Sequence, residues 1–421
     1  MKFRGLALLT AALTIAFGVA TAGSAFASST HTLTVWMQVD PQQNPAWMAD
    51  IASTDSAFEA QNPGWTVSHQ YLPWGTHLQT LDTAIAAGGS NLPDVVEMGN
   101  TEMTKYMAEG AFANLSGDKS QFANSSHWLG GLTASSTYNG KLYGVPYYAG
   151  SRVITYRSDL FAKAGIKGLP TSLTTFQADL TKVATKEKSV KAFAPLYVGG
   201  EDWYTALGFV FDYNGSIAKH VHGKWVGTLD SPNSIKGLTA FQQFFDATQA
   251  KSSITANGTT PTPYSVFAQG KTAANYGPAW YSCCTGKNYT KVTKQFVMPG
   301  HTKGKSMPGF LGGSDLVVPA GSANETQAVQ WIADYTGTTS EKALGALGNI
   351  PNATNLLTNS VNDRAAARSW FVPQAVNWVE VENANVLPTM LRAILSGQLT
   401  VKQATTVASE QIAATLNQPA S

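Results

Sequence analysis

Three kinds of side chain in this 421-residue chain invite a chemical reading: two adjacent thiols, a scatter of carboxylates and a few imidazoles. Cys283 and Cys284, the only cysteines, end the stretch Asn275-Tyr-Gly-Pro-Ala-Trp-Tyr-Ser-Cys-Cys284. Neighbouring cysteines join only through a tight eight-membered ring, because the bridge prefers α-carbons farther apart than adjacent residues allow. Two free thiols packing as small apolar groups are the alternative. A glycosidase needs two carboxyl groups about 5 to 10 Å apart across the scissile bond. Glu97, Glu201, Asp202, Glu380 and Glu382 are available, yet Glu380 and Glu382 are two apart and do not share a helix face. Glu201-Asp202 reads as a helix start. His220-Val-His222 puts two imidazoles on one side of a strand with no third ligand nearby, so the seven histidines make no zinc pattern. Gln269-Gly-Lys-Thr272 copies the end of a phosphate loop, but Ser265 stands where its first glycine belongs. No cofactor and no metal is expected.

Aromatic and neutral polar residues dominate what remains. Only 13% of residues are charged, against about 25% in an average soluble protein, while 10% are aromatic. That mixture suits a cleft for neutral, hydroxyl-rich ligands. Lys2 and Arg4 precede a long apolar run that ends in Ala25-Phe26-Ala27, the pattern of a cleaved export signal over residues 1–27. Removing it leaves 26 basic against 26 acidic residues, a balance that favours neither nucleic acid nor an anionic membrane. The expected mature chain is exported, monomeric and exposed to oxidising conditions. With no cysteine at the cleavage site, it is expected to carry no lipid anchor.

The elements that must position these residues alternate. Leu33-Thr-Val-Trp-Met37 reads as a strand and about 46–60 as a helix. Trp65–Tyr71 is the next strand, 76–87 the next helix, and Asp94-Val-Val-Glu-Met98 a third strand, followed by a helix over roughly 101–109. Such alternation predicts a parallel α/β sheet, with ligands beyond the strands' carboxyl ends. Those ends are Gln38 to Asp40, Trp74 and Gly99-Asn100-Thr101. A middle region has its own strands and helices, Ser314-Asp-Leu-Val-Val318 with a helix over 325–335 repeats the opening pattern, and the last 50 residues are helical.

Several stretches together resemble the family 1 extracellular solute-binding proteins, the sugar-capturing components of ATP-driven importers. Leu92-Pro-Asp-Val-Val-Glu-Met-Gly-Asn100 is similar to that family's "PDV" strand. Leu142-Tyr-Gly-Val-Pro-Tyr-Tyr-Ala-Gly-Ser-Arg152 with Tyr156 to Gly165 is similar to its central signature. Gly277-Pro-Ala-Trp280, Gly312-Gly313 and Leu395-Ser-Gly-Gln-Leu-Thr-Val401 follow in family order. The resemblance implies a two-lobed periplasmic-binding-protein-like fold of type II, each lobe an α/β sheet flanked by helices. Residues 28–149 with 310–345 form lobe 1, and 150–309 with 346–421 form lobe 2. It implies hinge closure on a neutral di- or oligosaccharide and delivery to an ABC permease, and Met98-Gly-Asn-Thr101 is most similar to chitooligosaccharide or disaccharide binders. A secreted glycoside hydrolase and a polysaccharide-adhesion module are the alternatives.

Sugars offer C–H faces that stack on aromatic rings and hydroxyl rims that need paired donors and acceptors. Gln38 and Asp40 are candidate hydroxyl binders, although Asp40-Pro41 also suits a turn. Gly99 would let a ring approach the backbone; Asn100 is a candidate ligand or helix cap, and Thr101 a cap. Tyr148 is a stacking candidate, whereas Tyr147 packs inward. Arg152 would fork onto sugar oxygens or pair with Glu97 across the cleft. The resemblance supplies aromatic platforms at Trp203, Trp280 and Trp378, and Trp74 ends the second strand. Gly312 and Gly313 would turn N–H groups toward a ligand or form a crossover with unusual backbone angles. Trp36 and Trp331 are expected in the core, and an oxidised Cys283–Cys284 pair would offer a flat sulfur surface beside Trp280.

Overall fold

A computed structural model describes residues 31–42, 44–248, 253–258 and 261–419. The expected export signal, residues 1–27, lies outside them. Strand β1 (His31–Met37), helix α1 (Pro45–Gln61), strand β2 (Trp65–Tyr71), helix α2 (His77–Ala87), strand β3 (Val95–Gly99) and helix α3 (Met103–Ala108) follow the predicted alternation. β1 pairs in parallel with both β2 and β3. All five residues of β3 are buried, as expected of a central strand covered on both faces. Glu97 is buried with the rest of the strand.

The parallel expectation holds for only half of the first sheet. Beyond β3 the sheet continues antiparallel through Gly312–Val317, Val145–Gly150 and the short edge strand Ile350–Pro351. A second sheet is antiparallel, with Arg152–Arg157 between Ala274–Pro278 and Thr293–Phe296. Each sheet has its own apolar core. Leu33, Val35, Val95 and Leu316 pack with Trp331 and Tyr335 in one, whereas Ile154, Leu207, Phe241 and Leu391 pack together in the other.

The chain passes between the two bodies three times. Val145–Gly150 leaves the first sheet through Ser151 and becomes the central strand of the second. Gly309–Phe310 pairs with Ser369–Trp370, and Leu311 then leads into Gly312–Val317 of the first sheet. The third passage runs through helix Val361–Ala366 to Ser369–Trp370. It begins later than the sequence suggests, because Ile350–Pro351 extends the first sheet and Ala353 and Leu356 are buried in the first core. Residues 346–356 therefore pack with lobe 1.

Gly312 and Gly313 do not have the unusual backbone angles anticipated for a crossover; they are paired strand residues. Their lack of a side chain serves close packing. A β-carbon on Gly313 would come 2.1 Å from the carbonyl oxygen of Tyr148, and one on Gly312 would come 2.9 Å from the ring of Phe310. Replacing Gly313 by alanine must push two sheet strands apart, at a cost of about 1–3 kcal/mol. We expect Gly313→Ala to lower the urea midpoint with an unchanged denaturant slope; a midpoint equal to wild type would contradict this packing.

Candidate functional site

A cleft of about 430 Å³ opens between the bodies. Its first-lobe wall comes from the turn after β1 (Gln38, Asp40), the first turn of α1 (Trp47), Trp74, Glu97 of β3, Tyr148, Leu347 and Asn349. Trp280, Cys283 and Cys284 form the opposite wall. The carboxyl ends of β1, β2 and β3 thus deliver side chains to one place, as open α/β sheets do. Of the expected residues, Gln38, Asp40, Trp74, Tyr148, Trp280 and both cysteines meet here.

Glu97, only 2% exposed, forms part of the floor. The backbone N–H of Gln38 donates to its carboxylate at 2.9 Å. Burial pushes the Glu97 carboxyl up, with the Gln38 hydrogen bond opposing. Burial and then the nearby Glu97 charge push the Tyr148 hydroxyl above its ordinary range, so it remains a proton donor. The Gln38 amide is nine-tenths buried, and neither its nitrogen nor its oxygen has a hydrogen-bond partner among the described residues. An unmet buried amide costs about 1–3 kcal/mol, which a polar ligand in the cleft would recover. Asp40 sits on the rim and also shapes it: its side chain accepts from the Gln42 N–H at 2.9 Å, and its carbonyl accepts from the Asn44 N–H.

Trp74 is 46% exposed and Trp280 40%, unusual for tryptophan. The Trp74 carbonyl contacts His77 Nδ1 at 2.7 Å, and His77 Nε2 contacts Glu102 at 3.0 Å. Glu102 in turn accepts from the Gly99 N–H at 2.9 Å. A β-carbon at Gly99 would lie 2.9 Å from Glu102 Oε2 and 3.3 Å from the Trp74 ring. Gly99 does let a ring approach the backbone, but the ring is that of Trp74. Trp280 is held by edge contacts with Tyr281 and by Tyr264. Cys283 and Cys284 are joined by a disulfide.

The remaining candidates lie elsewhere. Asn100 is buried and clamps the crossover, with its side chain donating to the Leu311 carbonyl and its backbone N–H to the Gly313 carbonyl. Thr101 does not cap α3, which begins at Met103 after Glu102; its side chain hydrogen-bonds Glu382. Arg152 does not reach Glu97. It pairs with Asp202 at 3.5 Å, donates to Thr205 and lies over the Tyr204 ring, all within the second lobe. Trp203 packs against Tyr204, Phe310, Trp370 and Trp378, and Trp378 is 1% exposed. These two tryptophans are core, because helices Trp203–Asp212 and Trp378–Asn383 turn them inward. Trp36 and Trp331 are buried as expected.

Sequence reasoning passed over Trp47 and Asn349. Trp47 donates to the hydroxyls of Tyr147 and Tyr335 at 2.6 and 2.9 Å and meets Tyr148 edge-on. Its place in the first helical turn after the Asp40-Pro41 corner was the available signal. Asn349 had none, since the edge strand beside it is two residues long.

Beyond Trp74 a second, more polar chamber lies between the lobes, lined by Trp74, Asp82, Glu102, Lys105, Glu382 and Asn383. Lys105 reaches Glu380 across it at 3.3 Å. Burial pushes the Glu382 carboxyl up to about 7, although hydrogen bonds from Trp378 and Thr101 pull the other way. A carboxyl raised by folding binds its proton more tightly in the folded state. Its contribution is therefore full below the ordinary carboxyl range and is lost as pH rises toward 7. Glu382→Gln should match wild-type stability near about pH 4 and exceed it by about 1–3 kcal/mol near about pH 8. Thermal melts across that range would refute the assignment if the difference did not grow with pH.

Residues 40–341 match the family described as bacterial extracellular solute-binding protein. The chain is 31% identical over 380 residues to the diacetylchitobiose binding protein DasA of Streptomyces coelicolor, covering 87% of this chain and 86% of that one. Its fold is similar to the GacH receptor of Streptomyces glaucescens, solved unliganded and with acarbose, at a TM-score of 0.77 and 19% identity over 92% and 99% of the two chains. It is also similar to the maltose-bound MalE3 of T. maritima, at 0.76 and 17% over 91% and 99%. The family match over residues 40–341 and the identity to DasA across most of both chains show that the chain belongs to the bacterial extracellular solute-binding protein family.

Proposed function

We propose that this protein captures a neutral di- or oligosaccharide between its lobes, without changing it covalently, and delivers it to the permease of an ABC importer. One observation carries the reading. Two half-exposed tryptophans, Trp74 and Trp280, stand on opposite lobes of a single cleft that also holds the unpartnered Gln38 amide. Stacking rings and a waiting amide are what a sugar's C–H faces and hydroxyl or acetamido rim require. Among the described residues the cleft's charged lining is Asp40 and Glu97, with no lysine or arginine, which disfavours an anionic sugar. The kinship with a diacetylchitobiose binding protein makes an N-acetylated disaccharide the first ligand to try. Gly99, Asn100, Arg152, Gly312 and Gly313 support the cleft rather than touch the ligand in this reading, and Trp203 and Trp378 stabilise the second lobe. The protein acts as an exported monomer, and closure brings the two tryptophans onto the sugar, with the ligand stabilising the closed population.

Calorimetry against diacetylchitobiose, maltose and acarbose, paired with a reducing-end assay, tests this reading. Binding without new reducing ends is expected; release of reducing ends by the pure protein would establish the hydrolase instead. Binding without compaction in small-angle scattering would favour the adhesion module. Trp280→Ala should weaken binding by about 1–2 kcal/mol, roughly 5- to 30-fold, and Trp36→Ala should weaken it less at equal foldedness. The reverse order would remove Trp280 from the site.

A further inference from the structure

The bridge between Cys283 and Cys284 has no role in the frame of the fold. It spans a single peptide bond, so it closes almost no loop in the unfolded chain and contributes little of the entropy by which disulfides ordinarily stabilise. Yet both cysteines line the cleft opposite Gln38 and Tyr148, and Cys283 is exposed. A bond that holds nothing distant together, placed where a ligand sits, acts locally.

The local geometry says how. Ala279–Cys284 is a 3-10 helix, in which residues three apart lie on one face. Trp280 and Cys283 therefore share one face, turned to the cleft, while Tyr281 on the next is buried against Tyr264. The half-buried Cys284 also lines the cleft, so the bridge joins two cleft-lining sulfurs, and the polarisable pair extends the apolar surface begun by the Trp280 ring. Two thiols in its place would be unlinked and free to rotate apart.

We propose that the Cys283–Cys284 disulfide is a ligand-contacting wall, taking the C–H face of the sugar ring next to the one stacked on Trp280, and that its reduction weakens capture. The inference rests on the oligosaccharide reading of this cleft. A dithiol reduces it in two steps: one thiolate attacks a bridge sulfur to give a mixed disulfide, and the second closes the reagent's own ring. Two electrons and two protons leave the reagent, and Cys283 and Cys284 emerge as thiols.

Calorimetry with diacetylchitobiose, maltose and acarbose as probes, on oxidised and dithiol-reduced wild type and on the double variant Cys283→Ala/Cys284→Ala, tests the wall. Thiol counting by mass spectrometry reports each state. Reduction should lower affinity about tenfold while the ligand-free melting temperature stays put. The double variant should bind like the reduced protein and ignore the reductant. Equal affinity in the oxidised and reduced forms, wild-type affinity in the double variant, or free thiols in native protein would overturn the wall alone. So would a melting temperature that falls together with affinity, because the bridge would then be structural. Oxidised wild type binding none of the three sugars would overturn the oligosaccharide reading and the wall with it.

Discussion

Two of the three passages between the lobes hang on the strand pair Val145–Gly150 and Gly312–Val317, because both strands run from the first sheet into them. The pair lies close because Gly313 has no side chain to keep the Tyr148 carbonyl away. Asn100 fastens the same point from the end of β3, holding the carbonyls of Leu311 and Gly313. Any movement of one lobe on the other must bend around this joint, and Tyr148, which lines the cleft, is part of it. The joint and the cleft wall thus share Tyr148.

The cleft divides its labour unevenly. The first lobe brings nearly all the polar groups, since three strands end there and a buried carboxyl, a phenol and an unmet amide cluster behind Trp74. The second lobe brings an aromatic ring and a sulfur bridge on one short turn. In the proposed reading a sugar meets both walls to satisfy its hydroxyls and cover its apolar faces, which is why it would favour a closed arrangement. Trp74 also walls the second chamber, where Lys105 reaches Glu380 and Thr101 hydrogen-bonds Glu382. Polar contacts of that kind bridge the two lobes, and where water reaches them each contributes little to stability.

Much of this was legible in the residues. The 3.6- and 2-residue periodicities placed β1 to β3 and their helices within a residue or two, because each element has one or two strongly apolar faces. Strand ends pointed to Gln38, Asp40 and Trp74, and the family resemblance, through Gly277-Pro-Ala-Trp280, pointed to Trp280. Trp203 and Trp378 misled because an aromatic at a helix start carries no mark of the face it will occupy. Arg152 misled for a related reason: its partner Asp202 is 50 positions away in the chain, and charge pairing over that distance has no periodic signature.

By itself the sequence determined the alternation of elements, the aromatic and neutral composition and the adjacency of the two thiols, and its family resemblance implied the two lobes. The first three depend on local propensity, on patterning and on composition, all of which are written along the chain. Only the tertiary structure decided which tryptophans face the cleft and that residues 346–356 stay with the first lobe. It also decided that the first sheet turns antiparallel beyond β3, and that Cys283 and Cys284 line the wall opposite Gln38. Those outcomes come from packing between segments hundreds of residues apart, where the choice between inward and outward depends on what the other lobe leaves uncovered.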